Sequence, residues 1–216
     1  MPMSTGKGTK IFFAALVAAF LQSHNAIGAD RFLENETAKA LAAGDPVARV
    51  KALDDLVDAD NVVAATELGL IYRDGKDVPR DYAKARKLLK IAATPNLVRM
   101  WYKYGFPKAQ YTLAVMLRDG VGGKANASAA VPWFERAAEQ NYQQAQLELA
   151  QMYFNGTGIK RDPERAFIWA SIAEPWASGE AHKEMDRIRD LSQKQLKPGQ
   201  LAKAGALVKT WKPRSG

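Results

Sequence analysis

The stretch Ala109-Gln110-Tyr111-Thr112-Leu113-Ala114-Val115-Met116-Leu117-Arg118-Asp119-Gly120 returns 36 residues later as Ala145-Gln146-Leu147-Glu148-Leu149-Ala150-Gln151-Met152-Tyr153-Phe154-Asn155-Gly156. The same step carries Trp133 and Ala137 onto Trp169 and Ala173. A third copy lies upstream with the same internal spacing, as Ala64, Leu68, Gly75 and Ala92; in every copy 17 residues separate the glycine from the later alanine. A period of this length is the mark of a stacked repeat in which each copy is one supersecondary unit.

Each copy reads as two helices. Small and apolar residues at helical spacing, such as Ala109, Leu113, Met116 and Leu117, place the first helices over 64–73, 109–118 and 145–154. The glycine ends each one, because it adopts the left-handed conformation that closes a helix C-terminus. Asp81 and Asp162 are N-cap candidates for the second helices, with Pro163 suited to a first helical position. Asn126 or Ser128 takes the capping part in the middle copy, where Pro132 implies a start nearer Ala129 or a kink. Trp133 and Trp169 are expected to fill space between layers. Val50, Leu53, Leu56 and Val57 share one face of a lone leading helix over 46–60.

The pattern resembles the Sel1-like repeat, a relative of the tetratricopeptide repeat. Ala64 to Gly75 is the copy nearest that family's Leu-Gly-x-x-Tyr-x-x-Gly signature. Two departures stand out: Gly123 where the other copies have Val78 and Ile159, and Lys87 read at the tryptophan position of the first copy. The resemblance implies an all-α fold, a right-handed helical-repeat solenoid of antiparallel helix pairs. Repeats are expected over about 64–108, 109–144 and 145–178. A leader with a capping helix (29–63) precedes them, and basic capping helices (179–216) follow.

The N-terminus has the layout of a secretory signal. Lys7 and Lys10 precede an apolar run from Ile11 to Leu21, and Ala26-Ile27-Gly28 supplies small residues for a cut before Ala29. The run is about half the roughly 20 residues needed to span a bilayer, and nothing later could span. A retained anchor is the alternative. Cleavage of residues 1–28 takes the formal net charge from +8 to +6, because the segment holds two lysines and no acid. The chain has no cysteine, so disulfides and thiolate sites are excluded. A periplasmic or secreted protein without disulfides must rely on packing.

The excess positive charge belongs to the tail. Residues 181–216 hold nine Lys or Arg and three Asp or Glu, which leaves the repeat region balanced. Such a tail suits an anionic glycan, lipid head groups or an acidic protein, or is simply a solvated terminal helix. Nucleic acid is not an expected partner of an exported chain.

One interruption breaks the repeat. Nine extra residues, Pro95-Asn96-Leu97-Val98-Arg99-Met100-Trp101-Tyr102-Lys103, separate the first two copies. Insertions of this kind emerge as loops, often on the binding face, and Trp, Tyr, Arg and Met are enriched at interface cores. Arg99, Met100, Trp101, Tyr102 and Lys103 are therefore the partner-binding candidates. The opposing reading lengthens a helix and tucks the aromatics into the next repeat. Trp176, in the irregular stretch 174–179, is either exposed at that junction or covers the end of the stack, the second being favoured.

No catalytic, cofactor-binding or metal-ligating residues are assigned. After export His182 is the single histidine, too few for a metal cluster without cysteine. Glu135 and Glu139 form an i,i+4 acid pair of the kind that is usually solvated. The resemblance implies a non-enzymatic scaffold or adaptor of the bacterial envelope, with another protein, membrane-associated, as partner. A cell-wall or anionic-glycan binder working through the tail is the alternative, and a glycan hydrolase a remote one.

Overall fold

A computed structural model describes residues 26–96 and 102–214, with side chains from residue 31. The proposed signal thus lies outside the described residues, apart from 26–28. Among the described residues there are ten α-helices and no strand. They are α1 (Ala26–Leu41), α2 (Pro46–Asp58), α3 (Val62–Asp74), α4 (Tyr82–Ala93), α5 (Pro107–Asp119), α6 (Ala127–Glu139), α7 (Gln143–Asn155), α8 (Pro163–Ala173), α9 (Gly179–Gln193) and α10 (Pro198–Thr210). A 3-10 turn, Glu174–Trp176, links α8 to α9. No helix among the described residues is long and apolar enough to cross a membrane. The chain divides into two compact units, one ending at Phe106 and one running from Pro107.

In the first unit α3 packs on α4, and α1 and α2 pack on each other and on α3. The leading helix is therefore half of a pair rather than alone. Its expected face is correct: Leu53 is fully buried, with Val50, Leu56 and Val57 packed around the same cluster as Leu68 and Leu88. A buried polar knot joins α1 to α3. Asn61 accepts the backbone N–H groups of Val63 and Ala64, and its amide donates to the Leu33 carbonyl and Thr37 Oγ1. It caps a helix and satisfies a neighbouring one with the same side chain.

In the second unit α5 packs on α6, α6 on α7 and α7 on α8; α9 then covers α7 and α8, and α10 lies on α8. One core runs through it, from Phe134 and Leu149 to Met185 and Ile188 of α9. Trp133 and Trp169 lie half-buried at its edge, as packing residues. Tyr153 is 1% exposed; its hydroxyl donates to Glu135 Oε1 and accepts from Arg165 Nη1, each at 2.6 Å. That clamp ties α6, α7 and α8 together. Arg118 links α5 to α7 by pairing with Glu148 while also holding Asp119. Gln146, fully buried, donates to the Ala138 carbonyl and fixes the turn between α6 and α7.

The caps follow the sequence. Asp81, Asn126 and Asp162 each accept a backbone N–H in the first turn of their helix. Gly75, Gly120 and Gly156 all have left-handed φ values, of 70°, 74° and 78°. The middle second helix starts at Ala127, not Ala129, with Pro132 inside it. The residue two positions before each first helix is also left-handed: Asp60, Gly105 and Asn141, at φ 62°, 83° and 66°. This shared turn is the hidden part of the repeat, because three different residue types occupy it.

Two glycines separate conformational strain from steric strain. A Cβ on Gly158 (φ 72°) would lie 2.5 Å from the Ala127 carbonyl carbon, whereas one on Gly179 (φ 58°) would meet nothing within 4 Å. Gly179→Ala is expected to cost about 1–2 kcal/mol, for the left-handed backbone alone. Gly158→Ala is expected to cost about 2–4 kcal/mol, because backbone must also move. Urea unfolding of both variants checks this, and equal losses would refute the close approach. A second expectation concerns Tyr153. Burial first, and then its bond to Glu135, push the phenol up to about 12. The neutral phenol is favoured in the fold, so its contribution is complete below about pH 10. It is lost as pH rises from there through 12. Absorbance at 295 nm should show a late phenolate that is missing in Tyr153→Phe.

Candidate functional site

The insertion at 95–103 is closed by the same backbone return bond that the second copy has. In the second copy the N–H of Tyr142 returns to the carbonyl of Ala137, at 3.0 Å. In the first copy the N–H of Phe106 returns to the carbonyl of Ala92, at 2.9 Å. Ala92 and Ala137 are equivalent positions, so the nine extra residues leave and rejoin the frame at the same place. A backbone bond from the Asn96 N–H to the Lys103 carbonyl, at 3.1 Å, closes the neck of the excursion. Helix α4 stops at Ala93, and Thr94 is extended (φ −73°, ψ 127°). The described ends of the insertion therefore do not prolong that helix.

Of the five nominated residues, Arg99, Met100 and Trp101 lie outside the described residues. Tyr102 is half-buried, its ring edge-on to Phe106 with centroids 5.0 Å apart at 74°. Its aromatic face is thus partly spent on the frame. Lys103 Nζ sits 5.0 Å above the centre of the Tyr104 ring, a cation–π contact at the neck.

Beside the neck is an open groove of about 440 Å3, lined by Lys87, Lys90, Ile91, Thr94, Pro95 and Asn96. Ile91 is 39% exposed there. Among the described residues no acidic side chain lines the groove, and two lysines flank the exposed Ile91. Sequence reading missed it, although 87, 90, 91 and 94 are spaced as one helical face. It also misplaced Lys87. Four residues before Ala92, where the later copies have tryptophan, stands Leu88, which is buried, whereas Lys87 faces the groove.

The other chemistry-bearing residues are engaged elsewhere. Glu135 accepts from Tyr153, and Glu139 pairs with Arg214, whose backbone N–H also donates to the Glu139 carbonyl. The two carboxylates are held by different partners, Tyr153 of α7 and Arg214 beyond α10, and do not act as a free pair. Glu174, His182 and Asp186 do converge, with potential ligand atoms within 4.8 Å of one another. The histidine count had ruled out such a cluster, and this convergence corrects that reasoning, since two carboxylates complete a set around one histidine. Its cation is already present: Arg189 reaches Asp186 at 2.7 Å and Glu174 at 4.0 Å. Trp176 is 59% exposed and does not cover the end of the stack. Met185 and Ile188 of α9 supply that cover, since α9 runs along α8 and leaves the 3-10 turn outside.

The tail separates into two parts. Helix α9 contains three basic and four acidic residues and neutralises itself through i,i+3 pairs such as Lys183–Glu180, Arg187–Glu184 and Arg189–Asp186. The whole excess lies in 194–214, which has six basic residues and no acid.

Comparison with known proteins supports the repeat assignment. The Sel1 repeat family matches residues 62–94, 107–142 and 143–173. The unmatched residues 95–106 contain the insertion. The alginate biosynthesis protein AlgK of Pseudomonas syringae pv. tomato is 30% identical over 150 residues, covering 69% of this chain and 29% of the relative. AlgK of Azotobacter vinelandii is 33% identical over 107 residues, covering 49% and 21% respectively. The chain thus spans less than a third of the length of these curated relatives. A crystal structure of a Sel1 repeat protein from Oxalobacter formigenes superposes with a TM-score of 0.57 at 24% identity, covering 69% of this chain and 57% of that one. At that identity the likeness concerns the fold. With three matched helix pairs, each first helix entered from a left-handed turn, the chain belongs to the Sel1-repeat family.

Proposed function

We propose that this chain is an exported, non-enzymatic scaffold or adaptor of the bacterial envelope, which binds a protein partner through the 95–103 insertion and the groove beside it. Protein–protein interaction is the work of a Sel1-repeat array, and the rest of the reading is specific to this chain. One observation carries it: nine residues leave the repeat and rejoin it with the Ala92–Phe106 bond in place of Ala137–Tyr142. An excursion that leaves the frame's closing bond in place is available for recognition. Arg99, Met100, Trp101, Tyr102 and Lys103 supply the contacts, and Lys87 and Lys90 favour a partner with acidic residues around an apolar centre. The relatives are named for alginate biosynthesis. By that likeness the partner belongs to a membrane-associated complex concerned with a polysaccharide. The layout of residues 1–28 supports export to the periplasm or beyond.

The test is affinity capture from the native envelope, with wild type and Trp101→Ala compared side by side. The variant should lose the partner that wild type retains, with an unchanged melting temperature. A fall of more than about 4 °C, worth about 1–2 kcal/mol in a chain of this size, would make Trp101 a packing residue and sink the site. N-terminal sequencing of the exported protein should begin at Ala29. A chain that keeps residues 1–28 would be an anchored protein instead.

A further inference from the structure

We propose that the outward side of α10, with the lysines that flank it, is a docking surface for an anionic phospholipid bilayer. Helix α10 packs on α8; Ala204 is buried, and Leu201, Gly205, Val208 and, just past the helix, Trp211 are half-buried. Its other side is exposed and carries Ala202, Lys203, Ala206, Leu207 and Lys209. Leu207 is 48% exposed. Lys194 and Lys197 precede the helix and Lys212 follows it, all exposed. Arg214 is the member of this stretch held in an ion pair, with Glu139.

Charge and shape select the occupant. A second copy of the chain would bring six like charges against six, with no acid in 194–214 to offset them. An anionic glycan would satisfy the lysines but needs hydrogen-bonding partners along its sugars. A groove of about 450 Å3 along the edge of this side is lined by Pro198, Leu201, Ala202, Gly205, Ala206 and Lys209, and among these described residues Lys209 is the one side chain able to donate. An apolar floor with an ammonium at the rim matches the boundary between a phospholipid's phosphate and its first acyl methylenes. Small residues let the helix lie close to such a surface while the long lysine stems reach the head groups.

The proposal is independent of the partner site at 95–103, and it is tested without any partner. Purified protein is sedimented with vesicles of phosphatidylglycerol and phosphatidylcholine in equal parts, and with phosphatidylcholine alone. Binding to the anionic vesicles should exceed binding to the neutral ones and fall with added salt. Lys203→Glu with Lys209→Glu should lower the partition coefficient at least about tenfold. Leu207→Ser should weaken binding while leaving its salt dependence unchanged. If the charge-reversed protein melts early, the neutral pair Lys203→Gln and Lys209→Gln carries the test. Equal binding to both vesicle types overturns the proposal, as does indifference to the lysine changes. Displacement from the vesicles by a soluble polyuronate overturns it in favour of a glycan surface.

Discussion

The helices of this protein meet where there is room for one methyl group. Ala64, Ala85, Ala92 and Ala93 in the first unit are fully buried, as are Ala109, Ala114, Ala130, Ala137, Ala138, Ala145, Ala150, Ala166 and Ala170 in the second. Alanine loses no side-chain entropy on burial and has the best helix propensity. It therefore brings two helices together cheaply but contributes little apolar area itself. Leucine, phenylalanine, methionine and tyrosine between the close points supply that area, and they are the largest fully buried side chains. With no cysteine in the chain, this alternation of narrow contacts and filled gaps must hold the structure together.

Three of the polar groups enclosed by that packing span elements. Asn61 serves α1 and α3, Tyr153 joins three helices, and Gln146 fixes the α6–α7 turn. Buried polar groups cost free energy unless satisfied, so they specify which helix lies beside which. An array built on repeated small residues would otherwise have several near-equivalent registers.

Much of this was legible in the sequence. The helix pairs, the Asp81, Asn126 and Asp162 caps and the closing glycines follow from local chemistry that acts within a few residues. The turns before the first helices were not legible, because Asp60, Gly105 and Asn141 share a φ value and no residue type. The Glu174–His182–Asp186 cluster was invisible for a different reason: a 3-10 turn folds residues back onto α9 that composition treats as unrelated. Of the two readings of Trp176 the exposed one holds, because α9 had already sealed the core with Met185 and Ile188. At the insertion, spacing revealed nine additional residues, and the Ala92–Phe106 bond shows that the first unit closes the turn as the second copy does. The groove beside it needed α4 to be seen with its neighbour, since lysines at helical spacing look like any solvated face.

The return bond has a thermodynamic corollary. Between Ala137 and Tyr142 the chain closes a short turn, and between Ala92 and Phe106 it closes one nearly three times as long. Loop-closure entropy grows only with the logarithm of length, so the longer path costs about 0.9 kcal/mol more. A penalty that small decouples what the segment says from what the array withstands. The junction after α4 can thus admit segments of different length and chemistry at little cost to the Ala92–Phe106 bond that closes it.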